Sequence, residues 1–349
     1  MSETFPNTGR PQGDAPFHAG EQALQARVGV LDRMQQIGRR VIRDHMPEEH
    51  RELFQKLPFM LLGALDSAQR PWASMLAGEP GFITAPDAYS LRIAALPHAQ
   101  DALTDAVQAG VQVGLLGIEL ATRRRNRMNG PVVERGEGYF GVQVQQSFGN
   151  CPKYIQAREL RLQPETPASG PALVTTGPLA AEAAACIAQA DTFFIATAAA
   201  DAALGSTAAN GGVDVSHRGG KPGFVRVTQE NGHTVLTSPD FVGNFFFNTL
   251  GNLQVNPRAG LLFVDFAQGH LLQLTGEAQV IWEGKELAAF AGARRLLKFR
   301  VDEARWRPRA WPLRAASVGY AAQLASTGSW DAMAVAAPGR TLQDLGGAS

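Results

Sequence analysis

Several features that assign a sequence quickly are missing here. The 349 residues hold only two cysteines, Cys151 and Cys186, outside any C-x-x-C spacing. That excludes a disulfide framework and fits a reducing, cytoplasmic setting. Charge of either sign is not in excess, since 32 Lys and Arg balance 32 Asp and Glu. This argues against bulk binding of nucleic acid or an acidic membrane, while leaving room for a local basic patch. No apolar run approaches the length of a membrane-spanning helix. The opening MSETFPNTGRPQGDAP has no basic segment followed by an apolar core, so no signal peptide is expected. There is no G-x-S-x-G elbow and no P-loop. What remains, 45% hydrophobic and 18% charged, is globular and long enough for two domains.

The chain does contain a repeat. GEPGFI starts at Gly78 and GKPGFV at Gly220. Gly-x-Pro-Gly is a backbone instruction, because proline fixes φ and glycine allows positive φ or close approach. At the same offset of 142 residues Ser74 falls on Ser216. Upstream, FMLLGAL (Phe59 to Leu65) resembles FFIATAA (Phe193 to Ala199). Downstream, VGLLGIEL resembles AGLLFVDF at an offset of 146, which also places Asn129-Gly130 on Thr275-Gly276. Four blocks in one order predict two copies of a domain of roughly 100–150 residues.

Periodicity predicts helix from Glu21 to about Lys56, broken at Pro47. Residues 1–16 and 333–349, small, polar and rich in Gly and Pro, read as flexible. From Pro58 to about Leu162 the period is two, interrupted by an expected helix at Pro97 to Ala109. A linker covers 164–178, containing PETPASGP, and a short helix at Ala180 to Ala190 opens the second copy. Strands are expected again from Thr192 to Trp282, with a helix near Phe241 to Leu253 and a last helix at Gly284 to Leu297. The domains are thus a helical segment at 17–57, a first barrel at 58–163 and a second at 179–332 with a C-terminal helix. Strand pairs on tight turns (DSAQ, ERGEG, QENGH, FAQGH) point to antiparallel sheets that close into two small barrels, a mainly β fold.

Six motifs carry the chemistry under consideration. Gly136-x-Gly138-x-x-Gly141 matches a dinucleotide fingerprint formally, but VQVQQSF follows it as a strand, so it reads as a hairpin. In TRRRNRMNG, strand alternation puts Arg123, Arg125 and Arg127 on one face and Arg124 on the other. Either a solvated edge strand or a phosphate or carboxylate site accounts for them. In DVSHRGGKPGFV, Ser216, Arg218 and Lys221 flank Gly219-Gly220, where a ligand can approach the backbone; a polar hairpin is the alternative. Asn244, Asn248 and Asn252 recur at four-residue steps and on a helix would share a face. In GNCPKYIQ, Lys153 and Tyr154 either contact an anion or pack at the domain junction. The HMPEEH pair His45 and His50 lacks the spacing of a helical zinc site, and no metal is expected.

The second copy, with DVSHRGGKPGFV, TSPDFVGNFFFNTLGN, NPRAGLLFVDF and LLQLTGEAQV, resembles the pyridoxamine 5'-phosphate oxidase-like family of flavin-binding split barrels. The first, with RPWASMLAGEPGFI, RMNGPVVE and SFGNCPKYIQ, resembles it more loosely, and FHAGEQALQARVGV resembles the start of bacterial members with tandem copies. The resemblance spans about Phe17 to Glu283 and implies two tandem FMN-binding split barrels enclosing one cofactor. Carried over by position, Ser216, His217, Arg218 and Gly219 would line the flavin, with Asn244, Asn248 and Asn252 beside its phosphate and ribityl chain. Many relatives have arginines where Phe245 and Phe246 stand, so phosphate binding would rest on Arg218 and Lys221, or on Arg125, Arg127 and Lys153 of the first copy. Leu76 replaces the equivalent of Arg218, which marks the first barrel as degenerate.

The resemblance implies an FMN-dependent oxidoreductase acting on a small molecule, with NADH, NADPH or a separate reductase as electron donor. No catalytic residue is assigned, and a homodimer is expected. The missing arginines also admit a non-catalytic module binding or sensing flavin, haem through a histidine such as His217, or another anionic ligand. Oxidation of pyridoxamine phosphate itself fits less well, given the duplication and the altered phosphate motif.

Overall fold

The computed structural model describes residues 15–163, 171–200, 202 and 211–330. The expected flexible ends, apart from residues 15 and 16, and linker residues 164–170 fall outside them. Three helices come first: α1 (Ala19–Arg27), α2 (Leu31–Val41) and α3 (Glu48–Lys56). Besides the expected break at Pro47 there is one at Gly29, whose φ of 73° ends α1. The first barrel comprises β1 (Phe59–Leu65), β2 (Pro71–Ala77), β3 (Ile83–Thr84), β4 (Ser90–Ile93), β5 (Gln112–Glu119), β6 (Arg124–Gly136), β7 (Tyr139–Gln143) and β8 (Gln146–Gly149). Next come β9 (Ala157–Leu162), β10 (Leu173–Thr175) and α4 (Ala181–Gln189). The second barrel comprises β11 (Thr192–Ala198), β12 (Val213–Gly219), β13 (Arg226–Glu230), β14 (His233–Asp240), α5 (Asn248–Val255), β15 (Arg258–Val264), β16 (Leu271–Ile281), α6 (Lys285–Ala289) and β17 (Arg295–Arg307). Finally β18 (Leu313–Gly319) returns to pair with β9.

The first sheet runs β2-β1-β5-β6-β7-β4-β3 and the second β12-β11-β15-β16-β17-β14-β13. Adding ten to each label converts one order into the other, so the fold is mainly β, two copies of one antiparallel split barrel. The repeated turn is equivalent down to its hydrogen bonds. Phe82 N donates to Glu79 O and Phe224 N to Lys221 O, both at 2.9 Å, and Gly81 and Gly223 take φ of 97° and 78°. That is a type II turn, with Pro and Gly at its two central positions. Gly78 and Gly220 lie directly under the rings of Phe82 and Phe224, where a Cβ would collide.

Strands β1, β5, β11 and β15 are apolar on both faces because both faces are buried. In β1, Met60, Leu62 and Ala64 fill the first barrel, while Phe59 and Leu61 face the second. In β11, Phe193 and Ile195 fill the second barrel, while Phe194 and Ala196 face the first. The layer between the barrels has two equivalent close approaches. Gly114 of β5 lies on the backbone of Val213 and Asp214, and Gly260 of β15 lies on that of Pro71 and Trp72. Under the repeat offsets these contacts exchange, which is the signature of a pseudo-two-fold axis. The two barrels of one chain therefore pair with each other.

Three expected helices are corrected. Residues 97–109 form successive three-residue turns, such as Thr104 N to Asp101 O, rather than an α-helix. There the Asp101 side chain accepts from Leu103 N and competes with helical bonding. The helix expected from Phe241 starts only at Asn248, after Phe245 and Phe247 take positive φ. The helix expected to reach Leu297 stops at Ala289, and RLLKFRVDEARWR forms β17, paired with β14, β16 and β10. Among the described residues no helix is long and apolar enough to cross a membrane.

The inter-barrel approach gives a test. Gly114→Val and Gly260→Val should each lower stability by about 1–3 kcal/mol, because the added carbons meet backbone that cannot yield. Gly149→Ala, where a Cβ meets only ordinary contact, should change little. Denaturant titration of the three variants checks this.

Candidate functional site

A narrow cleft of about 870 Å³, counting its open mouth, lies between the barrels. One wall is the start of β6 and the segment after β8, contributing Arg125, Arg127, Asn150, Cys151, Lys153 and Tyr154. The other is the end of β12, the loop after β14, the start of α5 and Arg295 of β17. Of the residues singled out from sequence, Ser216, His217, Arg218, Gly219, Asn244, Asn248, Arg125, Arg127 and Lys153 line it together.

Two do not. Lys221 Nζ instead donates to Thr327 O at 2.6 Å, at the end of a short 3₁₀ turn. Asn252 turns to the buried side of α5, where it donates to Thr197 Oγ1 at 3.1 Å and Asp214 Oδ2 at 3.3 Å. Nor do the three asparagines share a helix face, because Asn244 lies in the loop before α5 and accepts from Phe246 N at 3.1 Å. Arg123 also departs from the expected alternation. Its φ of 63° turns it out of the strand, and its guanidinium caps Ile155 O and Gly319 O.

Alternation does hold for Arg125 and Arg127, and charge gathers in the cleft as a result. Arg127 reaches across to the second barrel, donating to Val215 O at 3.1 Å and to Ser216 Oγ, with Asp214 Oδ1 at 3.0 Å from Nη1. Arg125 Nε and Nη2 both donate to the carbonyl of Cys151, and among the described residues no carboxylate pairs with it. Protein packed around Arg125, with Arg127 and Arg218 nearby, pushes its pKa down to about 9. Arg218 lies 3.5 Å from Asp240 Oδ1, and Arg295 takes the other oxygen, Oδ2, at 2.7 Å. Five cationic side chains thus face Asp240 in the lining and Asp214 behind it.

His217 is buried, packs edge-on to Phe194 and, among the described residues, leaves Nε2 without a partner. Burial first, then Arg125, Arg218 and Arg158, hold its pKa well below the usual imidazole range. Tyr154 stacks on Phe241 at 4.9 Å, giving one end of the cleft an aromatic face. Phe246, where relatives were expected to carry arginine, is withdrawn into a cluster with Phe17 and Phe148. The wall behind α5 comes from α1. Gly20 and Gly251 allow the two helices to touch, and Glu21 Oε1 accepts from Asn248 Nδ2 at 2.5 Å.

Arg295, Asp240 and Asn150 were not found from sequence. Arg295 was hidden inside an expected helix, although the alternation of Lys298, Phe299, Arg300 and Val301 reads as a strand. Among the described residues no group of His, Cys, Asp and Glu could hold a metal ion, and Cys151 and Cys186 are both free.

The state of His217 fixes a pH dependence. An unfolded histidine takes up its proton near pH 6.5, whereas folded His217 stays neutral to well below that. The linked stability is whole above pH 6.5 and is lost as pH falls towards the folded value. His50, pushed down to about 4 mainly by burial, adds a loss of the same sign. Between pH 7 and pH 5 the denaturation midpoint of ligand-free His217→Asn should fall less than that of the parent, while Glu21, whose buried carboxyl is held well above its usual range, works against the fall in both.

Residues 179–308 match the family model described as pyridoxamine 5'-phosphate oxidase. No curated protein matches the chain. Among solved structures, the chain is similar to HupZ of Group A Streptococcus, at 13% identity over 39% of this chain and 98% of that one, TM-score 0.29. It is similar also to a FAD-binding protein of Mesorhizobium loti, at 13% identity over 39% and 97%, TM-score 0.23. A third is a heme binding protein of Mycobacterium smegmatis, at 20% identity over 44% and 63%, TM-score 0.23. The family match thus falls on the second barrel, and the first barrel repeats the strand order of the second.

Proposed function

We propose that the cleft binds FMN and that the chain is an FMN-dependent oxidoreductase acting on a small molecule. One observation carries this reading: Arg125, Arg127, Arg218 and Lys153 converge on an open cleft with too few carboxylates to neutralise them. Unpaired cations in a partly desolvated site are costly, and a phosphate dianion removes that cost. The arginines lost at Phe245 and Phe246 are replaced in this reading by Arg125 and Arg127 from the other barrel. Ser216 Oγ adds a hydroxyl, and Tyr154 with Phe241 offers a flat apolar face to a ring system. His217, held neutral, presents one ring nitrogen for hydrogen bonding without adding charge. Bound flavin would supply the redox chemistry, with reduced nicotinamide or a partner reductase as electron source.

A second reading, a non-catalytic haem-binding module, draws on the same unpartnered Nε2 of His217, which is a competent iron ligand when neutral.

One absorption spectrum separates the two. Protein offered FMN and freed of excess should keep flavin bands. Arg125→Ala should weaken retention by about 10–100-fold, the worth of one charged hydrogen bond. The ligand-free variant should be no less stable than the parent, since an unpaired cation is removed. A Soret band that His217→Ala abolishes would select the haem reading. Protein that takes up neither group would overturn both.

A further inference from the structure

The pseudo-two-fold axis relates the open cleft to a second location, which carries its own version of the same parts. Ser216 corresponds to Ser74 and Arg127 to Gln273. Asn150 corresponds to Arg307: Asn150 N bonds Arg125 O, and Arg307 pairs with Leu271, the equivalent of Arg125. The correspondence is atomic. Arg127 donates to Val215 O across the interface, and Gln273 Nε2 donates at 3.0 Å to Ala73 O, the equivalent carbonyl.

This second location is not open. The turn segment between β4 and β5 delivers Asp101 into it, 2% exposed. Asp101 Oδ2 accepts from Ser74 Oγ at 2.7 Å and from Arg307 Nη1 at 2.7 Å, and Oδ1 accepts from Gln273 Nε2 at 3.1 Å. Leu103 N also donates to Oδ1, at 2.9 Å. A hydroxyl, a guanidinium, a carboxamide and a backbone amide thus surround one carboxylate. Ser74 and Gln273 are wholly buried and Arg307 nearly so. A buried Arg307 without its carboxylate would be an uncompensated charge.

We infer that this end of the interface, built from both barrels, retains a complete small-oxyanion site and that Asp101 is its resident anion, a tethered carboxylate that keeps free anions out. The donor set fits a planar carboxylate or a small phosphate. This holds whichever ligand the open cleft takes, so it stands apart from the FMN reading.

Chemical rescue tests it. Asp101→Ala deletes one carboxylate and leaves a vacancy the size of formate. The variant should melt about 5–10 °C below the parent. Sodium formate should restore the melting temperature saturably, and sodium chloride at equal ionic strength should not. The parent should respond to both salts alike. Asp101→Asn, which fills the same space without charge, should show no saturable rescue. If Asp101→Ala fails to fold in chloride, refolding from denaturant in formate should recover it. A variant as stable as the parent would overturn the inference. So would recovery without preference for formate, equal rescue of Asp101→Asn, or failure to refold in both salts.

Discussion

Two strand backbones in different sheets come close only where side chains are absent. Gly114 and Gly260 provide that absence at equivalent points, and much of the molecule follows from it. Because the sheets press face to face, β1, β5, β11 and β15 have no solvent face and are written in continuous apolar residues. Each large side chain buried there contributes roughly 1.5–3 kcal/mol. The same closeness lets the polar ends of these strands exchange side chains. Arg127 can bond to β12 and Gln273 to β2 only because the opposing backbone lies within one side chain's reach.

The two ends of the interface then differ in electrostatics rather than in shape. At one end Arg307 is balanced by Asp101, both of whose oxygens accept hydrogen bonds. At the other, Arg125 depends on one carbonyl, and Asp240 is shared between Arg218 and Arg295. A low local dielectric strengthens a paired charge and penalises an unpaired one. The closed end is therefore fit to hold structure together, and the open end is fit to receive an anion. Positive φ at Phe245 and Phe247 on the rim fits the same division, since bulky residues persist in such backbone only where surroundings enforce it.

The duplication was legible in sequence because glycine and proline positions report backbone geometry directly. The turn at Gly78 and Gly220, and the pair Gly130 and Gly276, recur in structure as in sequence, the latter two each pressed against a neighbouring strand's carbonyl. Strand alternation likewise brought Arg125 and Arg127 together. It failed where tertiary contacts outweighed local pattern. Arg295, Leu296 and Leu297 read as the end of a helix, yet pairing with β14 and β16 makes them strand. Asn252 shared a period with Asn248, but Asp214, buried beneath α5, drew it inward. Asp101 gave no signal, because its side-chain partners lie 27 to 206 residues away along the chain.

Such distant partners are what a tandem chain permits. A barrel pairing with an identical copy would carry any substitution at both ends of the axis at once. An aspartate entering one cleft would then enter the other and close both. Joining the copies in one chain removes that coupling, so Gln273 can stand where Arg127 stands opposite, and Arg307 where Asn150 does. One end of the interface can then commit its polar cluster to packing, and the other can leave its cations uncovered. Stability and ligand affinity make opposite demands on a buried charge. Here the two demands fall on separate copies of the same set of positions.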